Sequence, residues 1–147
     1  MKKYNFMFGR LKNIREDKDL LQEDIAKILQ TSKSMISKWE NNTKFISLNK
    51  LKQFCNHFKV SMDYVTGLSN VNNYKGTIDI DVNIVANNLK NIRNSNNKTQ
   101  KDIANLLNTS QSTISAYESG KTLIITPFLY QIALEYNESI DKICTKH

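Results

Sequence analysis

The sequence predicts an all-α protein that consists of two tandem copies of one small helical domain. The chain aligns with itself without a gap at an offset of 78 residues, so that LKNIR at 11–15 recurs unchanged at 89–93. Within each copy, apolar residues recur with a period near 3.6, which is typical of amphipathic helices, and strand-like alternation is almost absent. Because the similarity holds at one offset over a whole unit, we expect two domains of one fold rather than a solenoid.

The repeat also sets the predicted domain boundaries. The first domain covers residues 1–68, a linker covers 69–81, and the second domain covers 82–147. The linker is rich in Asn and Ser, and weak alternation in 76–82 is compatible with a short extended stretch. Domains of this size lie near the lower limit at which one hydrophobic core supports a stable fold.

Five helices are predicted in each copy. In the first copy, helix one carries an apolar stripe around Leu11 and Ile14, helix two covers 22–29, and a turn at 30–32 leads into helix three at 33–41. A helix, a tight turn and a second helix form a rigid corner that can present its second helix to the major groove of DNA. This segment is therefore the first candidate for a functional site.

Ser and Thr residues mark the starts of the helices, because their side chains satisfy unpaired backbone amides there. The predicted N-caps are Ser32 and Ser61 in the first copy and Thr99, Ser110 and Ser139 in the second. The fourth helix is predicted to begin near Ser47 in the first copy and at 126–127, where Thr precedes Pro, in the second. Thr99 is followed by Asp102, which favours a reciprocal capping pair. The first copy has Leu21 at the equivalent position, and Asp19 is the candidate substitute cap.

The charge indicates a polyanionic partner. The chain carries 21 Lys and Arg against 14 Asp and Glu, a net charge of +7. Residues 1–68 hold 13 of these cations against 7 acidic groups, whereas residues 69–147 hold 8 against 7, so nearly all the excess lies in the first copy. On charge alone, a basic surface without a partner remains an alternative.

Helix three of the first copy has one apolar and one polar face. Ile36 points to the core, and the opposite face carries Lys33, Ser34, Ser37 and Lys38. Lysine suits the O6 and N7 atoms of guanine, and serine is a permissive donor or acceptor. In the second copy this face reads Gln111, Ser112, Ser115 and Ala116, which offers an adenine-directed amide and one methyl group in place of two lysines.

The pattern LxxxR, then QxxxA, then SxxxISxWExN resembles the Cro/C1-type helix-turn-helix family, the xenobiotic-response-element-like (XRE) repressors of phages and plasmids. The resemblance covers residues 8–68 and again 86–145. It implies two tandem five-helix domains of the lambda-repressor type, each presenting helix three to double-stranded DNA. It also implies a phosphate contact at Gln22 and Gln100, and internal ion pairs of Arg15 with Glu40 and of Arg93 with Glu118.

The candidate DNA-contacting residues of the first copy are Gln22, Ser32, Lys33, Ser34, Ser37, Lys38, Asn41, Thr43 and Lys44. Those of the second copy are Gln100, Ser110, Gln111, Ser112, Ser115 and Lys121. We expect the four ion-pair residues to support the fold and not to read bases.

Other functional classes find little support in the sequence. No phosphate loop, zinc-protease pattern or nucleophile elbow is present, so we expect a non-enzymatic protein without a cofactor. Cys55 and Cys144 lack metal-ligand spacing, so no metal is expected. The start of the chain lacks a signal-type apolar run and no segment has the apolar length of a membrane span, which predicts a cytoplasmic, nucleoid-associated protein.

Two functions follow from the pattern. The first is a sequence-specific transcriptional regulator, most simply a repressor of bacterial, phage, plasmid or mobile-element origin. The alternative is a bifunctional interaction protein, an antitoxin or a phage-encoded inhibitor, in which one domain regulates its own gene and the second serves dimerisation or protein binding. Hydroxyl-bearing Thr122 and the apolar run 123–125 are candidate interface residues for the alternative, although Leu123 and Ile124 fit the core of the second domain better.

Two DNA geometries also remain open. One chain is able to cover two neighbouring half-sites about one helical turn, roughly 34 Å, apart as a single-chain pseudo-dimer on an asymmetric operator. Alternatively, two chains form a homodimer on a palindrome that is read mainly by the first copy.

Overall fold

The computed structural model describes residues 9–146, and every regular element in that range is a helix. The chain divides into two compact units, called unit 1 and unit 2, with the boundary between Ile78 and Asp79. The predicted all-α fold class with tandem domains is confirmed. The first eight residues of the predicted first domain, and His147, lie outside the described range.

Unit 1 contains five helices within its described residues. They are α1 (Gly9–Asp17), α2 (Gln22–Ile28), α3 (Lys33–Glu40), α4 (Leu48–Phe58) and α5 (Met62–Thr66). The helix boundaries agree with the sequence to within one residue at α2 and α3, where Leu29 and Asn41 are the C-caps. Ser47 is the N-cap of α4, which agrees with a fourth helix predicted to begin near Ser47.

Unit 2 repeats this order. Its helices are α6 (Val82–Ser95), α7 (Gln100–Leu107), α8 (Gln111–Glu118), α9 (Thr126–Tyr136) and α10 (Ile140–Cys144). Pro127 occupies the first turn of α9, where the missing N–H costs no helical hydrogen bond. None of the helices between residues 9 and 146 is long and apolar enough to cross a membrane.

The two cores are built from equivalent positions. Leu29, Ile36, Ile46, Leu51 and Met62 are almost fully buried in unit 1, and the residues 78 positions later are almost fully buried in unit 2: Leu107, Ile114, Ile124, Leu129 and Ile140. Each such side chain contributes about 1.5–3 kcal/mol by its removal from water. This shared set of buried residues explains why the apolar slots of the repeat stay apolar.

The turns also match between the units. At three pairs of equivalent positions, 78 residues apart, both units have a non-glycine residue with positive φ: Asp19 and Asn97, Gln30 and Asn108, and Lys59 and Asn137. A fourth pair, Asn42 and Gly120, has φ of 64° and 77°. Asn and Gly tolerate this left-handed conformation best, so unit 2 carries the more favourable residue at each position of the four pairs.

The start of α2 differs from the expectation for Asp19. Asp19 is not the cap of α2, because it lies in the turn before it with φ of 56°. The Asp24 carboxylate instead accepts a hydrogen bond from the Leu21 amide at 2.7 Å, and Leu21 itself supplies no capping side chain. In unit 2, Thr99 and Asp102 cap each other's amides reciprocally, as predicted.

Residues 69–78, which we call the strap, belong to unit 1. The sequence assigns them to a linker, but several of their backbone and side-chain groups are hydrogen-bonded to α1, α4 and the α4–α5 turn. Ile78, at the end of the strap, is only 7% exposed. The stretch 76–81 forms no strand.

Candidate DNA-binding surfaces

The α2–turn–α3 corner of unit 1 is held by a small residue and a short turn. Ala26 is buried between the two helices, and the Thr31 amide donates to its carbonyl at 2.9 Å. In unit 2, the Thr109 amide donates to the Ala104 carbonyl at the same distance. A larger side chain at position 26 or 104 would separate the helices, so the corner depends on alanine.

Burial of one face of α3 orients its polar face outward. Ile36 and Trp39 are buried, whereas Lys33 and Ser34 are exposed and Ser37 and Lys38 are half-buried. Ser32 caps the helix by accepting a hydrogen bond from the Met35 amide at 3.1 Å. The four polar residues from 33 to 38 therefore share a surface, while the Ser32 hydroxyl is engaged in capping.

The loop after α3 carries the remaining candidates of unit 1. The Asn41 side-chain oxygen accepts hydrogen bonds from the Thr43 amide at 3.1 Å and from the Thr43 hydroxyl at 2.8 Å. Lys44 follows with an exposed side chain. This arrangement fixes the loop directly beside the C-terminal end of α3, and it keeps a cation at the edge of the same surface.

An ion pair joins α1 to the end of α3. Arg15 Nε donates to Glu40 Oε2 at 2.7 Å and Arg15 Nη2 to Oε1 at 3.0 Å, while Nη1 donates to the Leu20 carbonyl. The two side chains are 10% and 6% exposed. The hydrogen bonds to Glu40 raise the pKa of Arg15, so the guanidinium stays charged at any physiological pH.

Gln22 belongs to the same network, a connection that the sequence pattern did not predict. Its side-chain nitrogen donates to Glu40 Oε1 at 3.0 Å, from the first residue of α2. This bond turns the Gln22 side chain toward the ion pair and ties α2 to α3. The sequence does contain one sign of this contact, because Gln and Glu are separated by the same number of residues in both copies. A polar residue that recurs together with an ion pair is a candidate hydrogen-bond partner of that pair.

Unit 2 reproduces the network with little change. Arg93 donates to Glu118 at 2.7 and 2.9 Å, and Gln100 donates to Glu118 at 3.2 Å. The hydrogen bonds to Glu118 raise the pKa of Arg93. The same network therefore holds α3 in unit 1 and α8 in unit 2, although the outer faces of these two helices carry different residues.

The outer face of α8 is chemically different from that of α3. Gln111, Ser112 and Ser115 are exposed, and Lys121 lies exposed after the helix. The hydroxyl of Ser110, which caps the helix, lies 2.9 Å from the Ser112 hydroxyl and 2.9 Å from the Thr113 hydroxyl. These hydroxyls form a small cluster among themselves, and the surface offers one cation where unit 1 offers three.

The net charge of the units follows the same division. Residues 1–78 contain 14 Lys and Arg against 7 Asp and Glu, and residues 79–147 contain 7 against 7. Unit 1 therefore carries the whole excess of +7 and unit 2 is neutral. Because attraction to phosphates is the sequence-independent part of DNA affinity, unit 1 has the stronger electrostatic basis for it.

Comparison with known proteins agrees with this geometry in both units. The helix-turn-helix family model matches residues 11–65, and the helix-turn-helix domain model matches residues 86–147. A curated relative, the antitoxin PezA of Streptococcus pneumoniae serotype 4, is 31% identical over 81 residues, which cover 52% of this chain and 51% of the relative. The chain thus spans about half the length of that relative. No solved structure matches the chain.

Proposed function

Because both halves of the chain belong to the Cro/C1-type (XRE) helix-turn-helix family, we propose that the protein is a sequence-specific DNA-binding repressor of phage, plasmid or mobile-element type. The observation that supports this best is the surface of α3 in unit 1. Lys33 and Ser34 lie exposed on a helix whose opposite face is buried, in the unit that carries the entire net positive charge. Repression would follow from occupying a site that polymerase or another regulator needs.

Within this proposal, the residues of unit 1 divide into two roles. Lys33, Ser34, Ser37 and Lys38 read base edges in the major groove, and flexible lysines also reach flanking phosphates. Gln22, Asn41, Thr43 and Lys44 lie at the margins of this surface and contact the phosphate backbone. Ser32 contributes as the cap that fixes the start of the helix.

Unit 2 is proposed as the weaker reader. Gln111 suits the N6 and N7 atoms of adenine, Ser112 and Ser115 are permissive, and Gln100 and Lys121 contact phosphates. A single chain then covers two different half-sites as a pseudo-dimer on an asymmetric operator. A footprint with scanning base substitutions distinguishes this from a homodimer, because the pseudo-dimer binds one chain per duplex and the homodimer binds two chains to a palindrome.

The proposal is tested by removing the lysines of α3. Lys33→Ala combined with Lys38→Ala should weaken binding to the operator that the footprint identifies about 100-fold, since each base-directed contact is worth roughly 1–3 kcal/mol. The affinity of this variant should also depend less on the salt concentration. Lys75→Ala combined with Lys142→Ala is the matched control, because it removes two positive charges outside both helix-turn-helix corners. Equal losses in the two double variants would contradict a specific role for α3.

A second candidate function rests on the relative named an antitoxin and on the neutral charge of unit 2. Here unit 1 represses the protein's own gene, and unit 2 binds a protein that the neighbouring gene encodes. Co-expression of both genes followed by affinity purification tests it. A stable complex that survives Lys33→Ala with Lys38→Ala supports the second candidate, and its absence supports the repressor alone.

A further inference from the structure

The strap, residues 69–78, is fastened to unit 1 at three points, of which Arg10 on α1 is the first. Arg10 Nη1 donates to the Tyr64 and Ser69 carbonyls at 2.6 Å each, and Nη2 donates to the Asn70 side-chain oxygen at 2.7 Å. The guanidinium carbon also lies 4.3 Å from the centre of the Tyr64 ring. This point holds the beginning of the strap against α1 and α5.

Asn72 is the second point. Its side-chain oxygen accepts hydrogen bonds from the Ser61 amide at 2.9 Å and from the Tyr74 amide at 3.1 Å, and its nitrogen donates to the Lys59 carbonyl at 3.0 Å. Ser61 and Lys59 belong to the turn between α4 and α5. The amide of Asn72 therefore joins the middle of the strap to backbone groups of the helical domain.

Asn56 on α4 is the third point, and it holds the end of the strap. Its side-chain nitrogen donates to the Ile78 carbonyl at 2.9 Å, and its oxygen accepts from the Ile78 amide at 2.7 Å and from the Tyr74 hydroxyl at 3.2 Å. One side chain thus satisfies both backbone groups of Ile78, whose own side chain is buried. An unsatisfied backbone group at a buried position costs free energy, so this pairing favours one register.

The second copy of the fold has different residues at the positions of two of these anchors, Asn56 and Arg10. The residue equivalent to Asn56 is Leu134, which is 61% exposed. The residue equivalent to Arg10 is Asn88, whose side chain donates to the Ile143 carbonyl at 2.8 Å at the end of α10. The anchoring chemistry is therefore not required by the helical fold, because unit 2 adopts that fold without it.

The strap shortens the chain that links the two units. Asp81 already caps α6 by accepting a hydrogen bond from the Asn83 amide, so only Asp79 and Ile80 lie between Ile78 and that cap. The three residue-to-residue steps from Ile78 to Asp81 span at most about 11 Å, whereas thirteen residues of free linker would span about 45 Å. We propose that the three anchors make the protein select pairs of DNA half-sites by their spacing.

The physical reason is the effective concentration of the second unit. A long flexible linker lets the second domain search many positions, so that its contribution varies little with spacing. A tether of two free residues gives a high effective concentration at compatible spacings and almost none elsewhere. This inference rests on the proposed function, specifically on DNA contact by both units.

Asn56→Leu, which installs the residue of unit 2, is the first test of the strap. Without DNA, trypsin should cleave after Lys75 at least ten times faster in this variant than in the native chain, because the end of the strap is released. Since leucine still offers an apolar contact to Ile78, Asn72→Ala combined with Arg10→Ala is the second variant. Asn49→Leu, an exposed asparagine on the same helix, is the control and should cleave at the native rate.

The second measurement uses DNA duplexes in which the two half-sites are moved apart in single base-pair steps. The native chain should bind one spacing at least ten times more tightly than its neighbours, and the strap variants should bind several spacings almost equally. Native cleavage at Lys75 as fast as in the variants would overturn the anchoring. A spacing profile unchanged by strap release, or a footprint on one half-site only, would overturn spacing selection while leaving DNA binding by unit 1 intact.

Discussion

Units 1 and 2 share an interior and differ on their surfaces. The fully buried residues, the Arg–Glu pair with its Gln partner and the left-handed turn positions occur at matching places in both. The units differ in three respects: the outer face of α3 compared with that of α8, the net charge, and the anchors of the strap. The interior network therefore specifies the fold, whereas the exposed face differs in its chemistry on the same scaffold.

The units also differ in how well local residues suit the backbone. Unit 1 has Leu21 at the N-cap of α2 where unit 2 has Thr99, and Gln30 in a left-handed turn where unit 2 has Asn108. Each choice is less favourable on intrinsic grounds. The unit with the net positive charge is therefore the one with the less favourable residues at these two positions.

The shared interior is tested most strongly at its ion pairs. Arg15→Ala should destabilise unit 1 by about 3 kcal/mol or more, because it leaves the Glu40 carboxylate buried without its partner. Arg93→Ala should destabilise unit 2 to a similar extent. Trp39, the single tryptophan, lies in unit 1, so its fluorescence during urea unfolding follows that unit, while circular dichroism follows both.

The control for the ion pairs removes both partners together. Arg15→Met with Glu40→Leu should recover most of the lost stability, since no charge is then left buried. If tryptophan fluorescence gives the Arg15→Ala variant the same midpoint of urea unfolding as the native protein, the ion-pair network does not stabilise unit 1. The view that the shared interior specifies the fold would then be wrong.

The difference between the outer faces is tested by moving lysines into unit 2. Gln111→Lys with Ala116→Lys should raise affinity for DNA about tenfold and steepen the dependence on salt by about two counterions, because two more cations approach phosphates. Asn94→Lys with Ser95→Lys, on α6, is the control with the same added charge. An equal gain in the control would mean that charge alone, and not the α8 surface, carries the effect.

Much of the fold was predictable from the sequence because the duplication shows which positions the fold requires. Apolar positions that stay apolar at the offset of 78 marked the core, and the serines at 32, 47, 61, 110 and 139 marked helix starts. The resemblance to a known family supplied the Arg15–Glu40 pairing, which spacing alone does not give. Helix boundaries then agreed closely, since caps and stripes are local signals.

The strap and the role of Gln22 were not predictable on the same basis. Residues 69–78 look like a linker because their polar composition is that of a loop, and their order comes from side chains far away in the sequence. Asn56 lies 22 positions before its partner Ile78. Composition carries no information about such a partner.

The cap of α2 provides a smaller test of the difference in local stability. Leu21→Thr should stabilise unit 1 by about 1 kcal/mol, because a threonine side chain can accept a hydrogen bond from the Asp24 amide as Thr99 does from Asp102. It also removes an apolar side chain that is 61% exposed. Leu21→Ala is the control, since it removes the apolar group without adding a cap.

The reverse change in unit 2 completes that test. Thr99→Leu should destabilise unit 2 by a similar amount, and tryptophan fluorescence of Trp39 should not register the change. Stabilisation of unit 1 by Leu21→Ala as large as that by Leu21→Thr would assign the effect to exposure and not to capping.

The smallest expected effect concerns the turn between α2 and α3. Gln30 has φ of 54° and its amide donates to the Lys27 carbonyl, so the turn needs a left-handed residue at this position. Gln30→Asn, which copies Asn108, should stabilise unit 1 by about 0.5 kcal/mol, and Gln30→Gly by a similar amount or slightly more. Gln30→Val should destabilise it, because a β-branched side chain tolerates positive φ worst.

Since the turn sets the angle at which α3 is presented, Gln30→Asn should leave operator affinity unchanged. A loss of affinity together with a gain in stability would mean that unit 1 keeps its less favourable turn residue for DNA contact and not by chance.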